Sequence, residues 1–190
     1  MLEKIIRLDQ EIFIFLNNLG TDFWDPFWMF ISDQKGMFLL TAPIVLYFYY
    51  KYDGKKSFYT IFLLLICFGL TNLIHDELFK KFFMRLRPCH EDGICQNIRL
   101  LIDCGGYYSF VSGHAANTAA IISFVLLYFK SINKFVKIGL VFWVLLVGYS
   151  RIYLAKHYPL DVFFGLILGV LVAYCCYQIY MIYMRSKIKS

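Results

Sequence analysis

The stretch VFFGLILGVLVAYCCYQIYMIYM, residues 162–184, carries no charged side chain over 23 consecutive positions. At ~1.5 Å of rise per residue, a helix of that length covers the ~30 Å hydrocarbon core of a bilayer. Working outward, Ser57 to Ile74 forms a second uncharged stretch. Ala115 to Phe129 and Ile138 to Ser150 are shorter, and the stems of Lys130, Lys137 and Arg151 can snorkel to the interface and complete each span. Gly36 to Tyr50 is a fifth candidate. A chain of 190 residues that is 60% apolar and 20% aromatic is too greasy for an ordinary soluble domain. The expectation is an all-α, integral membrane helical bundle of five to six transmembrane helices, in a single domain over residues 1–190 with its transmembrane core at 36–184.

The amino-terminal region does not read as a cleaved signal peptide, because Glu3, Asp9 and Glu11 interrupt the place of its apolar core. Leu2, Ile5, Ile6, Ile12, Phe13 and Leu16 recur at helical spacing opposite Glu3, Lys4, Arg7, Gln10 and Glu11, the pattern of a helix lying in the membrane surface. Asp22, Asp25 and Pro26 then interrupt an aromatic stretch. Residues 2–33 are expected to form two interfacial or partly re-entrant helices. The alternative is one long first span from Phe27 to Tyr50, carrying Asp33 and Lys35.

Five spans group the segments before Gly36, from Lys80 to Gly113 and from Arg151 to Asp161 on one face. The opposite face holds nine cations (Lys51, Lys55, Lys56, Lys130, Lys134, Lys137, Arg185, Lys187 and Lys189) against one acid, Asp53. The first face holds the remaining ten cations with twelve acids, and several of those cations form the cluster described below; with these set aside, the positive-inside rule makes the nine-cation face, with the carboxyl terminus, cytoplasmic. Cys89, Cys95 and Cys104 share the long outward segment 85–111, where an oxidising compartment allows one disulfide. Cys89 with Cys104 is the expected pair, although spacing alone does not fix it. A zinc site with His90 competes, but its spacing fits no usual ligand pattern.

Charged residues at membrane depth are costly, so clusters of them at span ends are functional candidates. Three segments qualify: Lys80 with Arg87-Pro88; Ser112-Gly113-His114; and Ser150-Arg151 with His157 and Asp161. Lys80, Arg87 and Arg151 suit the oxygens of a phosphate. Ser112 and Gly113 precede an apolar run, so their N–H groups would stand at a helix amino terminus, a ready anion site. Asp161, four residues after His157, is placed to hold one ring N–H on a helical turn and free the other nitrogen for attack on phosphorus. His114 is the candidate general acid. The plainer readings make Lys80, Lys81 and Arg85 interfacial anchors, His75-Asp76-Glu77 a helix end emerging into water, and His90-Glu91-Asp92 a solvated loop.

These segments, KKFFMRLRP, VSGH and SRIYLAKHYPLD, resemble the signature of the type 2 phosphatidic acid phosphatase family, membrane lipid phosphatases related to vanadium haloperoxidases. That signature is lysine, six residues and Arg-Pro; Pro-Ser-Gly-His; and Ser-Arg, five residues, His, three residues, Asp. Val111 stands where the family has proline, a change of turn stiffness and not of chemistry. The resemblance implies His157 as nucleophile, Asp161 as its partner, His114 as acid, and neither metal nor other cofactor.

It also implies hydrolysis of a lipid-linked phosphate or diphosphate in a bacterial plasma membrane, at an outward-facing pocket reached from the bilayer. The small size is similar to that of bacterial members acting on undecaprenyl diphosphate, the first expectation for the substrate. Lipid A, phosphatidylglycerophosphate and phosphatidic acid are alternatives, as is phosphotransfer to another lipid. The reading of another class is a non-catalytic lipid carrier or flippase. The expected partners are the lipid phosphate substrate and the bilayer; nothing calls for nucleic acid or an obligate protein partner.

Overall fold

The computed structural model describes residues 1–33, 42–44, 46, 47, 50, 54–129 and 131–189, and among these described residues six longer helices frame the protein. They are α1 (Leu2–Asn18), α2 (Asp25–Ser32), α3 (Gly54–Leu73), α4 (Gly113–Tyr128), α5 (Lys134–Tyr153) and α6 (Pro159–Lys189). The α3 helix continues without a break through a π-helical segment, Ile74–Lys80, and a last turn, Lys81–Phe83. The uncharged run thus understates this helix by more than two turns, and Lys80 sits on it. The candidate span Gly36 to Tyr50 lies outside the described residues, apart from short helical pieces.

Among the described residues, three helices are long and apolar enough to cross a membrane: Phe58–Phe83, Lys134–Tyr153 and Pro159–Arg185, while Gly113–Tyr128 is a shorter apolar helix. Only 28% to 33% of the apolar window in each long helix is buried within the protein. The rest faces outward, as expected where lipid is the solvent. The chain is an all-helical membrane bundle. Among the described residues the single β-type pairing is the bridge between Leu86 and Tyr108.

The centre of the bundle is the packing of α4 on α6. A Cβ on Gly165 would come within 2.7 Å of the Ser112 carbonyl oxygen, and one on Gly169 would collide with the Ala116 carbonyl. Ala115, Ala116, Ala119 and Ala120 on α4 are all buried. Small residues on both helices bring the backbones together, as in small-xxx-small packing.

The amino terminus is two helices, but α1 is oriented by polar residues. Asp9, Phe13 and Asn17 are its buried positions, at 3%, 0% and 0% exposure, while Leu2, Ile5, Ile6 and Ile12 face outward. The apolar positions Leu2, Ile5, Ile6 and Ile12 are left outward, and a narrow stripe of Asp9, Phe13 and Asn17 docks on the bundle. At Asp33 the backbone turns extended (ψ 152°), ending α2 at Ser32. The helix that contains Phe27 thus stops before Asp33, and the rest of the alternative span from Phe27 to Tyr50 lies largely outside the described residues.

Candidate active site

Lys80, Arg87, His114, Arg151 and His157, from the three separate segments of chain, converge at one end of the bundle. The charges of Arg151, Arg87 and Lys80 all act on the His157 ring, and those of Arg151, His157 and Arg87 act on His114. His157 is 2% exposed. Burial, and after it these three cations, hold its imidazole well below the usual histidine range, so the ring is neutral at pH 7.

Local structure explains each placement. The segment after α3 pairs with the loop before α4: the Arg87 N–H donates to Tyr107 (2.9 Å) and the Ser109 N–H to Arg85 (2.8 Å). The Arg87 guanidinium donates through Nε to the Tyr108 carbonyl at 3.3 Å and through Nη1 to that of Cys104. Cys89 and Cys104 are joined in a disulfide, which clamps this loop. The donor atoms of Cys89, His90 and Cys104 lie within 4.8 Å of one another. With the two sulfurs bonded together, only His90 of that group is left as a metal donor.

Ser112 is the extended N-cap of α4 and offers no side-chain cap. Its N–H donates to the Asp161 carbonyl at 2.9 Å, tying the second segment to the third. Gly113 is needed for a close contact: a Cβ there would meet His75 Nε2 at 2.6 Å. His75 is buried, not solvated. Its Nδ1 lies 3.3 Å from Asp76, whose Oδ1 also receives Lys80 Nζ at 2.5 Å. The supposed solvated knot thus positions both a lysine and a helix start.

The α5–α6 turn carries the third segment. Ala155 adopts a left-handed conformation, φ 55°, and the N–H groups of Lys156 and His157 both return to the Arg151 carbonyl, at 2.9 and 3.2 Å. His157 therefore precedes α6 and does not share a helical turn with Asp161. Their closest atoms, Nδ1 and Oδ2, are 3.8 Å apart, beyond hydrogen-bonding distance. Asp161 instead accepts the Tyr158 N–H at 2.8 Å, a capping-box reach back from the first turn, and Arg85 Nη1 at 2.8 Å.

Arg85 is no surface anchor. Its Nη2 also meets Asp9 Oδ2 at 2.6 Å, and it stacks on the Tyr158 ring at 4.0 Å. Ser32, at the end of α2, accepts Arg151 Nη1 on its hydroxyl and hydrogen-bonds His114 through its backbone. Asp9, Ser32, Arg85 and Lys156 are site residues that the sequence reading missed. Only the charge of Asp9 on an otherwise apolar helix face could have signalled one of them. A cavity of about 390 Å³, lined by Met29, Phe30, Ser32, Asp33, Ile102 and Leu154, opens beside Ser32.

The PAP2 superfamily profile matches residues 58–185, which include all three motif segments. The chain is 28% identical to the lipid A 4'-phosphatase of Porphyromonas gingivalis over 98% of its length and 78% of that protein's. It is also 28% identical to the bacitracin transport permease protein BcrC of Bacillus licheniformis, over 88% of this chain and 78% of the other. Its fold is similar to that of a PAP2-type phosphatidylglycerolphosphate phosphatase from Bacillus subtilis, with a TM-score of 0.74, 22% identity, and coverage of 94% of this chain and 87% of that one. Against Aquifex aeolicus LpxE the TM-score is 0.69 at 24% identity, covering 88% and 93%. The profile match over most of the chain, on a helical membrane bundle whose motif segments meet in one cationic cluster, makes this chain a member of the PAP2 superfamily and a membrane lipid phosphatase.

Proposed function

We propose that the protein removes a phosphoryl group from a bacterial envelope lipid by way of a phosphohistidine on His157. One observation carries this: Ser112 Oγ and Arg151 Nε, from different helices, are buried without a hydrogen-bond partner among the described residues. Buried polar atoms are costly when unsatisfied. Arg151 acts on the neutral His157 ring together with Arg87 and Lys80, and open donors of this kind suit the oxygens of a phosphate.

In the reaction, Nε2 of His157, the ring nitrogen not turned to Asp161, attacks phosphorus and the bond to the leaving oxygen breaks. His114 gives its proton to that oxygen. Water then attacks the phosphohistidine, His114 takes the water proton, and inorganic phosphate leaves with His157 neutral again. Lys80, Arg87, Arg151 and the open first turn of α4 stabilise the charge that builds on the phosphoryl oxygens. Asp161 offsets the imidazolium charge electrostatically, across 3.8 Å.

Resemblance to the two lipid A 4'-phosphatases of Porphyromonas gingivalis and Bacteroides thetaiotaomicron supports a lipid A phosphate as substrate. Undecaprenyl diphosphate, the first expectation from sequence, is the second reading, and the likeness to BcrC supports it. The cavity beside Ser32 is placed to take apolar parts of either lipid. The other end of the spans carries nine cations against one acid, and several of the ten cations at the site end are drawn into the cluster, which supports a site facing away from the cytoplasm. Phosphate release should be measured in detergent from both lipids, for the parent and His157→Ala. The proposal expects release from at least one lipid by the parent, and its loss in the variant; undiminished release by His157→Ala would refute it.

A further inference from the structure

Lys156 falls among the five unspecified positions between Arg151 and His157, yet it is only 7% exposed. The left-handed Ala155 and the return of its own N–H to Arg151 turn its side chain into the cluster. Its Nζ lies 3.9 Å from where a Cβ on Gly105 would stand, and Arg87 Nη1 lies 3.0 Å from the same point. The two cations flank one glycine whose positive φ, 71°, and missing side chain leave the space between them open.

The other cations near His157 are differently engaged. Lys80 is paired with Asp76 and Arg85 with Asp9 and Asp161. Arg87 donates to carbonyl oxygens and Arg151 to a hydroxyl, neither of which cancels a charge. Lys156 makes no hydrogen bond or ion pair among the described residues; Asp103 acts on it only through its charge. A phosphomonoester brings at most two negative charges. Arg87 and Arg151 are enough to meet them, which leaves Lys156 in excess, and an excess buried cation is expensive unless an anion meets it.

Building on the phosphatase reading, we propose that Lys156 binds a second phosphate group of the substrate, joined to or a few bonds from the one that His157 takes. Lipid diphosphates and closely bisphosphorylated headgroups are then preferred over lipid monophosphates. Burial, Arg87 and Arg151 pull the Lys156 ammonium down to about 8, the direction expected of a cation waiting for a counter-charge.

The test uses the full chain in detergent and two matched substrate pairs. One is a prenyl diphosphate and its monophosphate; the other is phosphatidylglycerophosphate and phosphatidic acid with the same acyl chains. Lys156→Met should raise KM for the doubly phosphorylated member of a pair ~10-fold or more beyond its effect on the singly phosphorylated one, with kcat little changed, and Lys156→Arg should recover most of the loss. The pair that responds identifies the spacing of the two phosphates. In the parent, inorganic pyrophosphate should inhibit more strongly than inorganic phosphate, a readout independent of how the variants fold. Equal KM changes within both pairs, or equal inhibition by the two anions, would overturn the role of Lys156. Release from lipid A but from none of the four would likewise overturn the role of Lys156, whereas absence of release by the parent from all four lipids and from lipid A would overturn the phosphatase reading instead.

Discussion

Asp9 and Asn17, two turns apart on the buried stripe of α1, hold the two ends of the turn that carries His157. Asp9 Oδ1 accepts the Leu160 N–H at 2.9 Å, at the start of α6. Asn17 Nδ2 donates to the Ile152 and Tyr153 carbonyls at 3.3 and 2.8 Å, at the end of α5. A carboxylate meets a helix amino terminus and an amide N–H a carboxyl terminus, each matching the sign of the helix dipole. Phe13 fills the space between, its ring 5.2 Å from that of Tyr158. The first helix thus straps the α5–α6 turn from outside the motif-bearing core.

Losing either end of the strap should therefore loosen the turn. Asp9→Ala and Asn17→Ala are each expected to cost about 1–3 kcal/mol, the range for stranding a buried hydrogen-bonding partner. Thermal unfolding in detergent measures that loss, and phosphate release should fall in parallel because His157 sits on the strapped turn.

Arg85 stands between two carboxylates, those of Asp9 and Asp161, that burial would otherwise force together. Arg85→Met keeps much of the volume but strands both acids, with an expected loss of about 3–5 kcal/mol. Asp9→Asn in the Arg85→Met background relieves the acid–acid repulsion and should recover part of it. A double-mutant cycle reads the coupling directly.

A neutral, buried His157 has a defined pH signature. Its folded-state pKa is depressed below 6.5, so above pH 6.5 both folded and unfolded forms are neutral and the group does not affect stability. As pH falls below 6.5 the unfolded chain takes up a proton first, and stability is progressively lost until the folded pKa is reached. The acid limb of kcat/KM assigned to His157 should accordingly lie below pH 6.5. Because the Arg151 charge is one of the causes, Arg151→Met should move that limb upward even as it lowers the rate.

The small-residue seam between α4 and α6 sets the position of Ser112. Gly165→Ala places a methyl 2.7 Å from the Ser112 carbonyl oxygen, a backbone atom that can yield only if the start of α4 moves. About 1–3 kcal/mol of destabilisation is expected from such overpacking, with a fall in kcat as the first-turn amides shift. Gly139, which has open space around it, provides a neutral control.

What could be read from the chain was what has a period or a spacing. The helices follow from the uncharged runs 162–184, 57–74, 115–129 and 138–150, because a bilayer demands a fixed apolar length. The positions of His114, Arg151 and His157 follow from spacing within short segments. Arg85, Asp9 and Ser32 were illegible because their partners lie far away in sequence: Asp9 is 76 residues from Arg85, and Ser32 is 119 from Arg151. The relation of His157 to Asp161 was misjudged for a local reason. Four residues suggested one helical turn, but Pro159 starts α6 only after His157, and the left-handed Ala155 redirects the chain before it.

The most direct measurement is to quench the working enzyme with its lipid substrate under denaturing alkaline conditions, which preserve a phosphorus–nitrogen bond, and to locate the phosphoryl group by peptide mass spectrometry. A phosphoryl group on His157, formed at a rate that matches turnover and absent from His157→Ala, is the predicted result. Steady turnover with no phosphoryl group on His157, or with the group on another residue, would contradict it.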